Sequence, residues 1–374
     1  MNAFRNLAWS LAAVLAALLT GGVVLAVSGY DVADALGALL KGALGSPNAV
    51  AETLVNMTPL LLAALAVALG LRAGLFNIGV EGQFLMGGLG AVVAGYVLPA
   101  LPGGLHMLVV LAAGVASGAA WAAVPAWMKA RFGAHEVITT IMFNYIAFRL
   151  VGWLVRVPLH GPGSIPQTRY IAEGAHLPVL LADTRLHAGF LLALAVAGGL
   201  WWLLWHTPWG MAIRSVGLNP EAAEYAGVRV VRTLVGSLAL SGGLAGLAGA
   251  VQLAGVDHRL VEEGFSAGYG YDSIAVSLLG ANHPFAIVPA ALLFAALRSG
   301  AGLMQIEADV SSQIISVLQA LVILFVAAEA GLRRDRELKA ARKATAVAPP
   351  SPPAPPQDPG LPAAGATSGQ GQEA

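Results

Sequence analysis

Apolar residues run along this chain in long blocks separated by short polar breaks. The blocks cover 7–27, 53–70, 83–100, 105–128, 137–156, 188–206, 233–254, 273–284, 286–304 and 314–330. About twenty apolar residues in a helix cross the roughly 30 Å hydrocarbon core of a bilayer. Most of the blocks meet that length. The block 273–284 is too short, so its backbone must be buried in protein or line a cavity. The pattern predicts an all-α fold, a polytopic membrane helix bundle of about ten transmembrane helices. Arg5 before Leu7–Val27 has the look of a signal-peptide flank. The length of that block, and the spans directly behind it, favour an uncleaved first helix.

Alternating the spans from a cytoplasmic N-terminus tests the count. The inner side then receives Arg5, Arg72, Lys129, Arg131, Arg214, Arg229, Arg232 and the six basic residues after Ala330. The outer side receives Lys41, Arg156, Arg169, Arg185 and Arg259. Thirteen basic residues against five is the bias that sets topology, so both ends are expected inside. Asp257, Glu262, Glu263, Asp272, Glu307 and Asp309 fall outside in this scheme. Arg149 and Arg298 remain within spans.

Composition agrees and narrows the function. Only 11% of residues are charged and 57% are hydrophobic, against about 25% charged in soluble domains. The net charge of zero gives no case for nucleic acid. The absence of cysteine removes disulfides, thiol catalysis and thiolate metal sites. The eight histidines are scattered, without a metal-binding spacing. Leu240-Ser241-Gly242-Gly243 resembles the start of an ATPase signature. It lies inside an apolar span, and no G-x-x-x-x-G-K-[ST] phosphate loop exists. No catalytic constellation is visible, so an enzyme is not expected, nor a cofactor or metal bound by this chain.

Two regions follow: a membrane domain at 1–332 and a tail at 333–374. The tail begins basic, Arg333 to Lys343, which suits an anchor on anionic lipid and equally a plain stop-transfer flank. It ends rich in Pro and Ala, as in Pro349-Pro350-Ser351-Pro352-Pro353, a composition expected to be disordered.

Residues 207–232 form a long inner loop. Asn219 is a good N-cap, Pro220 suits the first helical position, and Glu221 meets the positive end of the helix dipole. Ala222, Ala223, Glu224 and Tyr225 continue the helix, and Gly227 suits the left-handed residue that closes it. A short, capped cytoplasmic helix suits docking as well as it suits a plain connector.

Asn77, Glu81 and Gln83 lie among glycines in Gly74-Leu75-Phe76-Asn77-Ile78-Gly79-Val80-Glu81-Gly82-Gln83, between two spans. Polar groups at membrane depth mark a solute path, or else this is a cytoplasmic turn. Gly268-Tyr269-Gly270-Tyr271-Asp272-Ser273 precedes the short block in the same way, on the outer side by the count above. Broken segments at matching places in inverted halves point to a transport site; here spans 2–5 would pair with spans 7–10. In Ala134-His135-Glu136-Val137-Ile138-Thr139-Thr140-Ile141-Met142-Phe143-Asn144-Tyr145, Asn144 and Tyr145 suit either a polar solute or a neighbouring helix. Gly114/Gly118 and Gly242/Gly246 are spaced for close helix packing.

These stretches resemble the permease subunits of ABC importers for sugars, nucleosides and branched-chain amino acids. Phe76 to Gln83 and Glu136 to Tyr145 resemble hallmarks of the nucleoside or simple-sugar branch. Gly217 to Gly227 resembles the coupling-helix region, and Gly280-Ala281-Asn282-His283-Pro284 also fits. The resemblance covers residues 50–332 and leaves out the Pro-rich tail. It implies a multi-pass protein of the bacterial plasma membrane. A second, related permease chain would complete the pore. ATP and Mg2+ would be handled by a separate cytoplasmic ABC ATPase, and solute delivered by an extracellular binding lipoprotein. The expected solute is a nucleoside, or next a sugar such as ribose. The alternative is an ion-coupled secondary transporter, in which Glu81 would be the coupling site and the capped inner helix would be unexplained.

Overall fold

In a computed structural model, the described residues are 2–98, 103–311, 313–325, 328, 329, 331 and 332, with side chains from residue 15 onward. The tail from 333 lies outside them. Thirteen α-helices are described: α1 (Asn2–Val27), α2 (Val32–Leu44), α3 (Pro47–Arg72), α4 (Val80–Val97), α5 (Gly103–Phe132), α6 (Glu136–Arg156), α7 (Gly189–His206), α8 (Pro208–Leu218), α9 (Pro220–Tyr225), α10 (Val230–Gln252), α11 (Tyr269–Leu279), α12 (Pro284–Glu307) and α13 (Gln313–Phe325). No strand occurs among the described residues. Each of the ten apolar blocks coincides with a helix, and seven helices are long and apolar enough to cross a membrane.

Two helices are additions to the expected set. α2 is too short and too polar to register as a span; the Asp31 carboxylate caps it by accepting from the amides of Ala33 and Asp34 at 2.8 and 3.1 Å. α8 fills the first half of the inner loop. Thr207 caps it by accepting from Gly210 N at 3.0 Å, and Pro208 stands at its first position.

The core is built around α3 and α10. Residues Leu60 to Leu69 of α3 are buried without interruption, which explains why this helix is apolar on every side. α10 crosses α4 and α5 at the two glycine pairs. A Cβ on Gly246 would meet Gly118 Cα at 2.9 Å, and one on Gly118 would meet Gly246 N at the same distance. Only glycine lets these backbones touch, and backbone contact of this kind is a main source of helix association in lipid.

The packing partners of the two halves mirror one another. α3 packs against α11 and α12, as α10 packs against α4 and α5.

Candidate functional site

α3 ends in a tight backbone motif. Leu75 N donates to Gly70 O and Gly74 N to Leu71 O, with Gly74 at φ +76°. The chain turns back into the protein, where Asn77 is 1% exposed. The Asn77 carboxamide faces that of Gln83, and each donates to the other, at 2.9 and 3.0 Å. Asn77 also donates to Ser241 Oγ of α10, and Ser241 donates in turn to Ala66 O of α3. Asn144 of α6 accepts from Gly82 N at 2.8 Å and donates to Ile78 O at 2.9 Å. Every one of these buried polar groups therefore has a partner, as burial requires. Together they fasten α3, α6 and α10 to the start of α4.

Glu81 lies in the first turn of α4 and is 1% exposed. Its carboxylate accepts from Gly268 N at 3.2 Å and from Gly270 N at 2.6 Å. It thus sits where the positive ends of two helix dipoles, α4 and α11, meet. The stretches 74–83 and 268–273 are in direct contact, which corrects the expectation that they lie on opposite membrane faces. The cause is the length of α11. Its 11 residues cover roughly 16 Å, about half the hydrocarbon core. Its N-terminus is at Glu81. Its C-terminal turn reaches Arg72, whose guanidinium donates to Asn282 O at 3.0 Å and Ala281 O at 3.2 Å. Glu81, at the start of α11, and Arg72, at its C-terminal turn, are therefore separated by the length of that short helix.

Around this junction, Asp272 is half-buried and paired with Arg298 of α12 at 3.1 Å. Arg298 also donates to Ala267 O and lies 4.1 Å from the centroid of the Tyr269 ring. Tyr269 donates to Asn56 at 2.9 Å. Of the residues expected in the path, Asn77, Glu81, Gln83 and Asn144 are buried, whereas Tyr145 is 61% exposed. Tyr271 on α11 is exposed as well. Tyr271, Tyr269, Ser241 and Arg298 were not among the expected path residues. Arg298 had a signal, as a charge inside a span. Ser241 had one too, as the polar member of a run set aside for helix packing.

On the cytoplasmic side α8 and α9 form one capped unit. Asn219 ends α8 and caps α9 by accepting from Ala222 N at 3.1 Å; Pro220 takes the first position and Glu221 the first turn. Val228 N donates to Ala223 O and Gly227 N to Glu224 O, with Gly227 at φ +84°. Tyr225 is 95% and Leu218 88% exposed, while Ala223 is buried. The unit rests on the membrane helices through a second glycine contact. A Cβ on Gly74 would stand 3.1 Å from Gly217 Cα, and one on Gly217 would run into Arg72 O. α8 is thus seated on the turn that leads to Asn77 and Glu81.

On the outer side, loop 157–187 straps the end of α10. Thr168 N donates to Leu260 O, Ile171 N to His258 O and Leu177 N to Ala254 O. α10 ends in a π-helical turn, Leu253–Asp257, and His258 follows in the left-handed region at φ +55°. Among the described residues, no group of three or more His, Cys, Asp or Glu side chains is placed to hold a metal ion.

Seven helices of membrane-crossing length around a buried polar junction between α4 and α11 suit a membrane transport protein. The sequence comparisons identify which kind. Residues 49–327 match the family model described as the permease component of branched-chain amino acid transport systems. The chain belongs to this family: it is a multi-pass plasma-membrane permease subunit of an ABC importer. It is 39% identical over 328 residues to the guanosine ABC transporter permease protein NupP of Bacillus subtilis, covering 86% of this chain and 93% of the relative. It is 37% identical over 338 residues to the glucose ABC transporter permease protein TsgB13 of Haloferax volcanii, covering 86% and 87%. It is 33% identical over 335 residues to the nucleoside ABC transporter permease protein NupB of Lactococcus lactis, covering 87% and 92%. No solved structure matches it significantly.

Proposed function

We propose that this permease moves a nucleoside inward, driven by ATP bound with Mg2+ and hydrolysed in a separate cytoplasmic subunit. The observation that carries this reading is the seating of α8–α9 on the Gly74 turn, which links an exposed docking platform to the buried junction between α4 and α11. The relatives support the substrate class: NupP and NupB are named for guanosine and nucleoside, and TsgB13 for glucose. A sugar is therefore the second reading.

In this reading Asn219, Pro220, Glu221, Ala222, Ala223, Glu224, Tyr225 and Gly227 form the part that seats in the ATPase, with Tyr225 at its tip. Closure of the ATPase moves α8. Gly217 presses on Gly74 and Arg72, and Arg72 draws on the C-terminal turn of α11. The half-helix then shifts against α4, and the path opens to alternate sides. Solute passes the exposed Tyr145 and Tyr271, while Asn77, Glu81, Gln83, Asn144 and Asp272 hold the two half-helices that shape the path. A second, related permease chain supplies the opposite wall. A binding lipoprotein delivers solute to the loops at 157–187 and 255–268, where Glu263 is exposed.

The test is purification through a tag on this chain, followed by an ATPase assay with candidate solutes. Co-purification of an ATPase, stimulated by a nucleoside-loaded binding protein, is the expected result. Solute movement in liposomes under an ion gradient, with the chain alone and no ATP, would overturn it.

A further inference from the structure

Four tryptophans gather at the cytoplasmic end of α7: Trp201, Trp202 and Trp205 in its last two turns, and Trp209 at the start of α8. Trp202 and Trp209 are exposed, as is Phe285 at the start of α12. Indoles concentrate at the membrane–water interface because one edge is polar and the body apolar. This cluster therefore marks headgroup depth in the inner leaflet.

Two arginines flank the same indole there. The guanidinium carbon of Arg72 lies 5.3 Å, and that of Arg214 5.7 Å, from the Trp205 ring centroid. His283 packs against that ring as well, with the ring centroids 5.0 Å apart. Two like charges beside one ring repel, and a protein normally sets a carboxylate between them. None is present. Among the described residues five other basic side chains have a carboxylate within 4.0 Å, and neither Arg72 nor Arg214 does. A guanidinium carries five N–H donors. Arg72 uses two, on Asn282 O and Ala281 O. Arg214 places its Nε in a buried position with no acceptor. Burial and the Arg72 charge both keep His283 below its ordinary pKa, so it adds no third charge near pH 7.

The cluster thus presents two uncompensated cations and unused donors, bordered by exposed apolar rings, at the level of lipid headgroups. Basic pockets between transmembrane helices on the cytoplasmic side suit the phosphates of anionic lipids, and guanidinium groups suit phosphate geometry. We propose that Arg72, Arg214 and Trp205 form a binding site for the phosphate of an anionic phospholipid of the inner leaflet, with Trp202 and Phe285 against its acyl chains. A lipid is favoured over a protein carboxylate because the ring that both cations share belongs to α7, whose Trp202 is exposed, as is Phe285 of α12. The site shares Arg72 with the α8–α11 linkage, so an occupied site holds that linkage firm. The assignment does not depend on the identity of the transported solute.

The test is native mass spectrometry of the purified complex in detergent, titrated with phosphatidylglycerol or with phosphatidylcholine. The wild type is expected to retain phosphatidylglycerol preferentially. R214Q should weaken that retention about fivefold. R232Q removes an equal charge at an exposed position and should leave it unchanged. Equal retention by wild type and R214Q, or equal loss in R232Q, overturns the site. Displacement of the lipid by inorganic phosphate overturns the lipid assignment in favour of a soluble anion. If R214Q does not fold, wild-type thermal unfolding decides. Phosphatidylglycerol should raise the Tm above its value in phosphatidylcholine, and equal Tm values refute the proposal.

Discussion

The carboxylate of Glu81 lies 2.6 Å from the amide nitrogen of Gly270, a residue 189 positions further along the chain. One buried side chain thereby closes the gap between the two broken helices of the bundle. An amide in its place keeps one acceptor and sets an NH2 donor against a backbone donor. E81Q is expected to cost about 1–3 kcal/mol, read as a lower Tm for the purified protein, together with loss of transport. An unchanged Tm would mean that Glu81 does not hold the junction.

Asn77 and Gln83 exchange hydrogen bonds through both of their amides. N77A should cost roughly 1–3 kcal/mol, because it leaves a buried partner unsatisfied. N77A together with Q83A should cost less than the two single losses added. Additive losses in thermal or denaturant unfolding would show that the pair is not coupled.

Tyr225 at the end of α9 is 95% exposed. Y225E should leave the Tm of the permease within error and yet reduce ATPase co-purification and solute-stimulated hydrolysis by tenfold or more, about 1.4 kcal/mol of docking energy. N219A, which removes the cap, should lower both, since a lost N-cap costs about 1 kcal/mol. Full ATPase capture by Y225E would move the docking surface elsewhere.

Gly246 allows α10 to touch α5. G246L forces the helices apart at a contact where lipid offers no alternative driving force. The variant should fail to accumulate in the membrane, whereas leucine at Gly199 of α7, where a side chain meets open space, should be tolerated. Comparable membrane yields from the two would contradict the packing seen at the crossing.

His187 of the outer loop is 1% exposed and its Nε2 has no partner. Burial, followed by the nearby His258, lowers its pKa to about 4. The unfolded chain, with an ordinary value near 6.5, takes up a proton over this interval while the folded loop does not. Stability is therefore full above about pH 6.5, falls as pH drops toward 4, and is level below that. The window contributes roughly 3 kcal/mol. Tm measured between pH 7.5 and about 4.5 should decline in the wild type and decline less in H187Q. Parallel slopes would assign the pH dependence to other groups, of which His258, also lowered by burial, is the nearest.

The sequence by itself determined the class of fold, since uninterrupted apolar blocks have only one way to satisfy their backbone in lipid. It also specified the α9 cap. Asn219, Pro220 and Gly227 are local signals, read from neighbours three or four residues away, and the backbone follows them. The shortness of the block at 273–284 was legible in the same way. What only the tertiary structure decided is where that half-helix sits. Its place follows from contacts between residues far apart in the chain, Glu81 with Gly270 and Arg72 with Asn282, and no local pattern encodes them. Simple alternation of spans placed Asp272 outside, because counting crossings treats every block as complete. The structure shows a helix too short to cross, held at one end by a carboxylate and at the other by a guanidinium. The small residues behave alike: spacing announced that Gly114/Gly118 and Gly242/Gly246 favour close packing, but only the fold set these two pairs against one another.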